Sequence, residues 1–314
     1  MSATAHQVRV SSEFVNCNDG RARVKRIGFI GTENSHTDHF IRFLNREGRH
    51  PGFIAAALAG GENERNLALA EAGDIGVVVD EPADLIGRVD AAIISTRDGA
   101  LHREQAEPLL RAGIPVLVDK PLATTVSDAD AILRTAETSG ALVYSASALR
   151  FVPQVGELTE AGRAAGALRH LHVAGAGDPD SPYSGLFFYG IHHVETALEM
   201  LGDPVIGEGD IEVAVQRVAA TTVATLRLGN AEVTLTFVVP SESERTPFHA
   251  TAVHAGGVLT RELSLGPDYN APALAAFVGA ITSGHAPADA NTMRTPVAVL
   301  SAIVDALPTG EDNS

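Results

Sequence analysis

Lys120 and His192 are the two residues whose side chains could move a proton where a cleft can use it. Lys120 closes a short apolar run, residues 115–119, and is followed at once by Pro121. A lysine fixed at a strand end by the next proline can hydrogen-bond a substrate hydroxyl or relay its proton. His192 lies in GIHHVETALEMLG, residues 190–202. At about 100° per residue, Ile191, Val194, Leu198 and Leu201 share one helix face, while His192, Glu195, Thr196 and Glu199 group on nearly the opposite one. That polar side either faces solvent or looks across a cleft, placing an imidazole beside a substrate carbon. Taken singly, each residue reads as a surface group.

Positioning them requires a scaffold, and the first half of the chain supplies one. Residues 25–48 read as strand, tight turn and helix: an apolar run over 26–30, a turn at Gly31, and Asn34 or Ser35 as cap. Phe40, Ile41 and Leu44 follow at helical spacing and Gly48 ends the helix. A strand that delivers the chain to a helix N-terminus offers unpaired N–H groups to an anion. Strands at 53–59, 77–79, 91–96, 115–119 and 141–147 then alternate with helices at 62–73, 82–89, 102–112 and 128–139, with Ser127 capping the last. This rhythm predicts an α/β fold, a doubly wound parallel sheet with right-handed crossovers over residues 24–148. Ligands of such sheets gather outside the carboxyl ends of the strands, where the turns at 31–36, 96–98 and 119–121 lie.

Beyond residue 149 the pattern becomes α+β. Residues 168–173 alternate, with Leu171 and Val173 on one side and His170 and His172 on the other. Gly229-Asn230 and Gly256-Gly257 mark hairpins between 222–228 and 232–238 and between 248–254 and 258–263. Helices are expected at 272–282 and 296–307, each opening on its proline. An open mixed or antiparallel sheet over 149–307 follows, with a flexible extension at 1–23 and a tail at 308–314.

Composition narrows the function. At 314 residues, 45% hydrophobic and 20% charged, the chain is long enough for two cores. No stretch has the length and apolarity of a membrane span and no signal pattern is evident, so a cytoplasmic protein is expected. Cys17 is the single cysteine, which excludes an intramolecular disulfide. A net charge of −16 argues against nucleic acid and anionic membranes as partners.

The opening strand-turn-helix, HREQAEPLLRAGIPVLVDKPLA (102–123), ALRFVP (148–153) and YGIHHVE (189–195) together resemble the Gfo/Idh/MocA oxidoreductase family. The resemblance implies a Rossmann-like dinucleotide-binding domain followed by a substrate domain that mediates dimerisation, hence a homo-oligomer. It implies hydride transfer between NAD or NADP and a sugar-like or polyol-like small molecule, with Lys120 and His192 as catalytic residues. The cofactor is expected at Gly31, Thr32, Glu33, Asn34, Ser35, Thr96, His102, Lys120 and Pro121. The substrate is expected at Lys120, Phe188, His192 and His193, with Tyr183, Phe187 and Tyr189 as further lining. No metal is expected, since His36, His39, His102, His192 and His193 lack well-placed carboxylate or cysteine companions.

The sequence also departs from the family. Glu33 and His36 occupy the second and third glycine positions of the dinucleotide fingerprint. Gly60 stands where an acid would take the ribose hydroxyls, and Phe188 where an aspartate would precede the histidine. Glu62 and Glu64 oppose an NADP phosphate, leaving Arg65 in its favour. These changes keep a second expectation open: a member with lost or altered redox function, either a ligand-binding or accessory subunit or a non-redox enzyme using the same cleft.

Overall fold

The computed structural model describes residues 23–308 apart from 208 and 210. Apart from Arg23 and Pro308, the expected extension and tail lie outside the described residues, as does Cys17.

The first half alternates strands and helices: β1 (Lys25–Ile30), α1 (Ser35–Ile41), β2 (Phe53–Ala59), α2 (Asn63–Gly73), β3 (Val77–Val79), β4 (Ala91–Ile94), α3 (His102–Arg111), β5 (Val116–Val118), α4 (Val126–Ser139) and β6 (Val143–Tyr144). The six strands form one parallel sheet in the order β3-β2-β1-β4-β5-β6. The order reverses between β1 and β4, which opens a crevice at their carboxyl ends. β1, β4 and β5 are buried on both faces, as central strands covered by helices must be.

The second half contains α5 (Pro153–Ala164), β7 (Leu168–Ala176), α6 (Gly190–Leu201), β8 (Val213–Val218), β9 (Thr221–Leu228), β10 (Ala231–Val238), β11 (Phe248–His254), β12 (Gly257–Leu263), α7 (Ala271–Ser283) and α8 (Ala290–Asp305). Its sheet runs β12-β11-β7-β10-β9-β8, with β10 parallel to β7 and the other neighbours antiparallel. Leu171 and Val173 are buried on the face that α5 and α6 cover. His170 and His172 lie on the other, bonded to Thr234 and Thr236 across the β7–β10 pair. Both expected hairpins are present.

Several local expectations need correction. The segment 82–89 forms only a short 3-10 turn, Pro82–Leu85, because Ile86 turns extended after four residues. α1 does not continue regularly to Gly48 but widens into a π-helical stretch, Arg42–Arg46. α4 is capped by Thr125, whose hydroxyl accepts from the Asp128 N–H; Ser127 is already inside the helix and exposed. α8 opens on Asp289, whose carboxylate accepts from the Thr292 N–H, and Pro296 lies within it. α5 and β8 were not expected: α5 opens on Pro153 at its first position, directly after the turn at Ala148–Phe151, and β8 is an edge strand with one side exposed.

Polar contacts tie the halves together at several places. The Arg294 guanidinium of α8 bonds Asp130 of α4 at 2.6 Å. Asp268 holds Arg42 at 2.8 Å and Arg49 at 2.6 Å. Lys120, just after β5, donates to the Phe188 carbonyl just before α6 at 2.6 Å.

The corrected cap is testable by chemical denaturation. Thr125→Ala is expected to cost about 1 kcal/mol of stability, while Ser127→Ala, which removes no cap, should stay within about 0.5 kcal/mol of wild type.

Candidate active site

The site begins at Gly31. Its φ of 81° is left-handed, and a Cβ built there would stand 2.0 Å from the Thr96 amide nitrogen, so only glycine brings the β1 turn against the end of β4. Asn34 secures that turn from the other side. Its side-chain oxygen accepts from the His36 N–H and its amide donates to the Ser95 carbonyl at 2.7 Å.

The residues at the second and third fingerprint positions, Glu33 and His36, are each drawn to a partner. The Glu33 carboxylate accepts from the Arg97 main-chain N–H at 2.9 Å, and the Arg97 guanidinium returns a bond to the Glu33 carbonyl at 3.0 Å. The His36 Nδ1 meets the Asp119 carboxylate at 2.5 Å. Burial works upward on the Asp119 pKa, but the imidazole and the Lys120 ammonium outweigh it and hold the carboxyl below its ordinary range.

Two cavities meet at this turn. The first, about 600 Å³, lies over the carboxyl ends of β1, β2 and β4 and includes Gly31, Glu33, Gly60, Gly61, Asp80, Glu81, Thr96, Glu104 and Gln105. The second, about 580 Å³, lies between the sheets and is lined by Asn34, Ser35, His36, Arg97, Lys120, Tyr183, Phe188, Tyr189, His192, Arg245 and Tyr269, among others.

Lys120 and His192 thus face one hollow, though they come from opposite halves. Lys120 is 8% exposed, and its ammonium lies 4.7 Å from the Phe188 ring centroid and 5.8 Å from that of Tyr189. Burial lowers its pKa, and the charges of Asp119 and Glu195 oppose the shift. The Lys120–Pro121 peptide is cis. His102 braces it from beneath, its two ring nitrogens meeting the Pro121 and Thr96 carbonyls at 2.8 and 2.9 Å.

α6 decides between the two readings of its polar side, which does not face solvent at His192, Glu195 and Thr196. Every residue from Gly190 to Leu198 is buried, because the second sheet covers one side and α5, α8 and the turn at Ala148–Phe151 cover the rest. The His192 Nδ1 meets the Ser147 hydroxyl at 2.6 Å, and Ser147 gives its main-chain N–H to Glu195 at 2.7 Å. Burial, then the charge of Lys120, push the His192 pKa well below the ordinary histidine value, so the ring is neutral at pH 7. Burial raises Glu195 to about 7, against the pull of Arg150 and the Ser147 N–H.

Of the residues expected around a cofactor, Gly31, Glu33 and Thr96 line the first cavity and Asn34, Ser35 and Lys120 the second. Thr32, His102 and Pro121 reach neither: they are buried beneath the turns they support. His193 does not reach the hollow either, since its ring is 4.6 Å from that of Phe237 and 5.2 Å from that of Phe248 inside the second half. Phe187 is likewise core, whereas Tyr183, Phe188 and Tyr189 line the cavity. Sequence reasoning missed Ser147, Glu195, Arg245 and Tyr269 as members of the site, and it named His36 only at a fingerprint position and among the histidines considered for a metal. Among the described residues no three His, Cys, Asp or Glu side chains converge as a metal site would need.

A dinucleotide fits these surroundings. The bare floor at Gly60, where the only atom near the place of a Cβ is the Asp80 carbonyl oxygen, leaves room at the end of β2, and the two adjoining cavities offer a place for each half of such a molecule.

Comparison with known proteins agrees. Residues 25–147 match the model of an oxidoreductase family with an NAD-binding Rossmann fold. Inositol 2-dehydrogenase 1 of Saccharopolyspora erythraea is 34% identical over 158 residues, 49% of this chain and 43% of that protein. The 1,5-anhydro-D-fructose reductase of Ensifer adhaerens is 39% identical over 129 residues, 40% of this chain and 37% of that protein. The chain thus spans less than half the length of these two curated relatives. In fold, GenD2 from gentamicin A biosynthesis, solved with NAD, superimposes with a TM-score of 0.76 at 17% identity, covering 96% of this chain and 97% of that one. Scyllo-inositol dehydrogenase of Lactobacillus casei, solved with NAD(H) and scyllo-inositol, gives 0.73 at 14% identity over 90% and 97%.

The buried carboxyl of Glu195 sets a pH dependence. Its folded pKa of about 7 exceeds the ordinary 4.5, so the native state binds the extra proton and stability falls as pH rises between those values. Urea denaturation across this window should show wild type losing on the order of 3 kcal/mol relative to Glu195→Gln. A constant difference between the two proteins would contradict the buried-acid assignment.

Proposed function

We propose that the chain is a member of the Gfo/Idh/MocA oxidoreductase family and an NAD-dependent dehydrogenase or reductase acting on a hydroxyl or ketone of a polyol-like or sugar-like substrate. The observation that carries this reading is the convergence of Lys120 and His192, from opposite halves, on a hollow that meets the cavity over the strand ends. The polyol class is supported by the names of the relatives and by a lining rich in polar groups, among them Asn34, Ser35, Arg245, Tyr189 and Tyr269.

Gly31, Thr96 and the residues over the first cavity would hold the adenosine half, and the bound nicotinamide supplies the hydride chemistry. The chain's own residues handle the proton. Lys120, with its ammonium desolvated and its pKa lowered, donates to the substrate oxygen or takes up its proton. His192 stays neutral, and with Nδ1 engaged by Ser147 its Nε2 is the nitrogen free to exchange a proton with substrate. Phe188 and Tyr189 give the hollow an aromatic wall beside the Lys120 ammonium.

NAD is favoured over NADP. The charged side chains of the first cavity are Glu33, Asp80, Glu81 and Glu104, all acidic. Arg65 is already committed to the Asp38 carboxylate and the Thr32 carbonyl. The uncovered face of the second sheet supports pairing with another copy in a cytoplasmic homo-oligomer. A second reading, a member that binds ligand without redox turnover, is favoured by Glu33 and His36 at the fingerprint positions.

Fluorescence titration with NADH and NADPH, followed by a polyol panel, separates the two. The first reading predicts saturable NADH binding and turnover, with Lys120→Ala and His192→Ala each reducing turnover about 10²- to 10⁴-fold while NADH affinity stays within a few-fold. Absence of saturable binding of either dinucleotide would refute it.

A further inference from the structure

Glu33 and Arg97 form a ridge between the two cavities: Glu33 lines the first, Arg97 the second, and two hydrogen bonds clamp their loops together. We propose that the Arg97 guanidinium is the charge partner of the cofactor's diphosphate, replacing the bare main-chain cradle that a glycine-rich turn offers. This rests on the reading that the cleft holds a dinucleotide.

A dinucleotide is two nucleosides joined by a diphosphate. With one nucleoside in each cavity, the diphosphate has to cross the ridge. Glu33 removes the glycine that would let phosphate approach the backbone, and it adds a negative charge at the crossing. A cation is then needed on the same spot. The side chains of the first cavity offer none. In the second, Lys120 is tied to the Phe188 carbonyl and Arg245 lies 4.7 Å over the Tyr189 ring, which leaves Arg97 at the crossing itself.

Arg97 is suited to the task. One guanidinium N–H goes to the Glu33 carbonyl and the group stands 5.9 Å over the Tyr183 ring, which orients it. Among the described residues it has no carboxylate partner at ion-pair distance, so the rest of its planar fork can take phosphate oxygens two at a time. The Glu33 carboxylate is spent on the Arg97 main-chain N–H, where it fixes the loop without neutralising the guanidinium side on. Arg97 thus supplies binding energy, and Glu33 positions it at some electrostatic cost.

Calorimetric titration of the full chain with NADH, ADP-ribose and adenosine tests this. Arg97→Met should weaken NADH and ADP-ribose about 10- to 100-fold, the worth of a charge-assisted pair, and leave adenosine unchanged. Arg97→Lys, which keeps the charge but not the fork, should fall between, and Glu33→Gln should tighten NADH a few-fold. If Arg97→Met does not fold, those two variants carry the test: unchanged NADH affinity in both would overturn the proposal. So would Arg97→Met binding NADH as wild type does, or losing adenosine as much as NADH. Wild-type protein that binds adenosine and ADP-ribose but not NADH would count against the hydride-transfer reading while leaving Arg97 assigned to diphosphate; binding none of the three would remove both.

Discussion

A buried ammonium needs compensation, and the way Lys120 obtains it organises the cleft. Its ammonium donates to the Phe188 carbonyl, 68 residues away in the other half of the chain. The faces of Phe188 and Tyr189 and the charges of Asp119 and Glu195 add to it. One side chain therefore crosses between the sheets and draws the start of α6 onto the end of β5. His192, three residues beyond Tyr189, is carried into the same hollow by that contact. The brace of His102 under the Lys120–Pro121 peptide holds the other end of the span.

Around this span, the departures from the dinucleotide fingerprint have acquired partners of their own. Glu33 engages Arg97, and His36 engages Asp119. Phe188 cannot orient an imidazole as an aspartate would, but the Ser147 hydroxyl on the far side of the ring does so, and Phe188 lends its carbonyl to Lys120 instead. Gly31 has no such alternative, because any Cβ there meets the Thr96 backbone. Of the three fingerprint positions only the one whose geometry demands glycine holds one.

Much of this was legible before any coordinates. The six strands of the first sheet announce themselves as short apolar runs between helical segments, and the hairpins at Gly229-Asn230 and Gly256-Gly257 by their turn residues. Lys120 and His192 stood out by type and position. What could not be read is whatever depends on distant residues. A helical wheel shows that α6 has two kinds of face but not that both are covered, so Glu195 looked like a solvated group when it is a buried acid. Ser147 and His192 are 45 residues apart, and nothing periodic links them. Thr125 and Ser127 are equally good caps in sequence; the φ of −136° and ψ of 150° at Thr125 decide between them. His193 shares its neighbour's chemistry, but one residue along a helix turns it about 100° into the second core.

The central claim is that this cleft moves hydride between a bound nicotinamide and a polyol carbon. It is tested most directly by incubating the protein with NAD⁺ and polyols deuterated at the carbinol carbons, then following the label by mass spectrometry. The structure predicts NADH carrying one deuterium from at least one polyol of the panel, with the label lost when Lys120 and His192 are both replaced. Binding of cofactor and polyol without any label reaching the nicotinamide would contradict it.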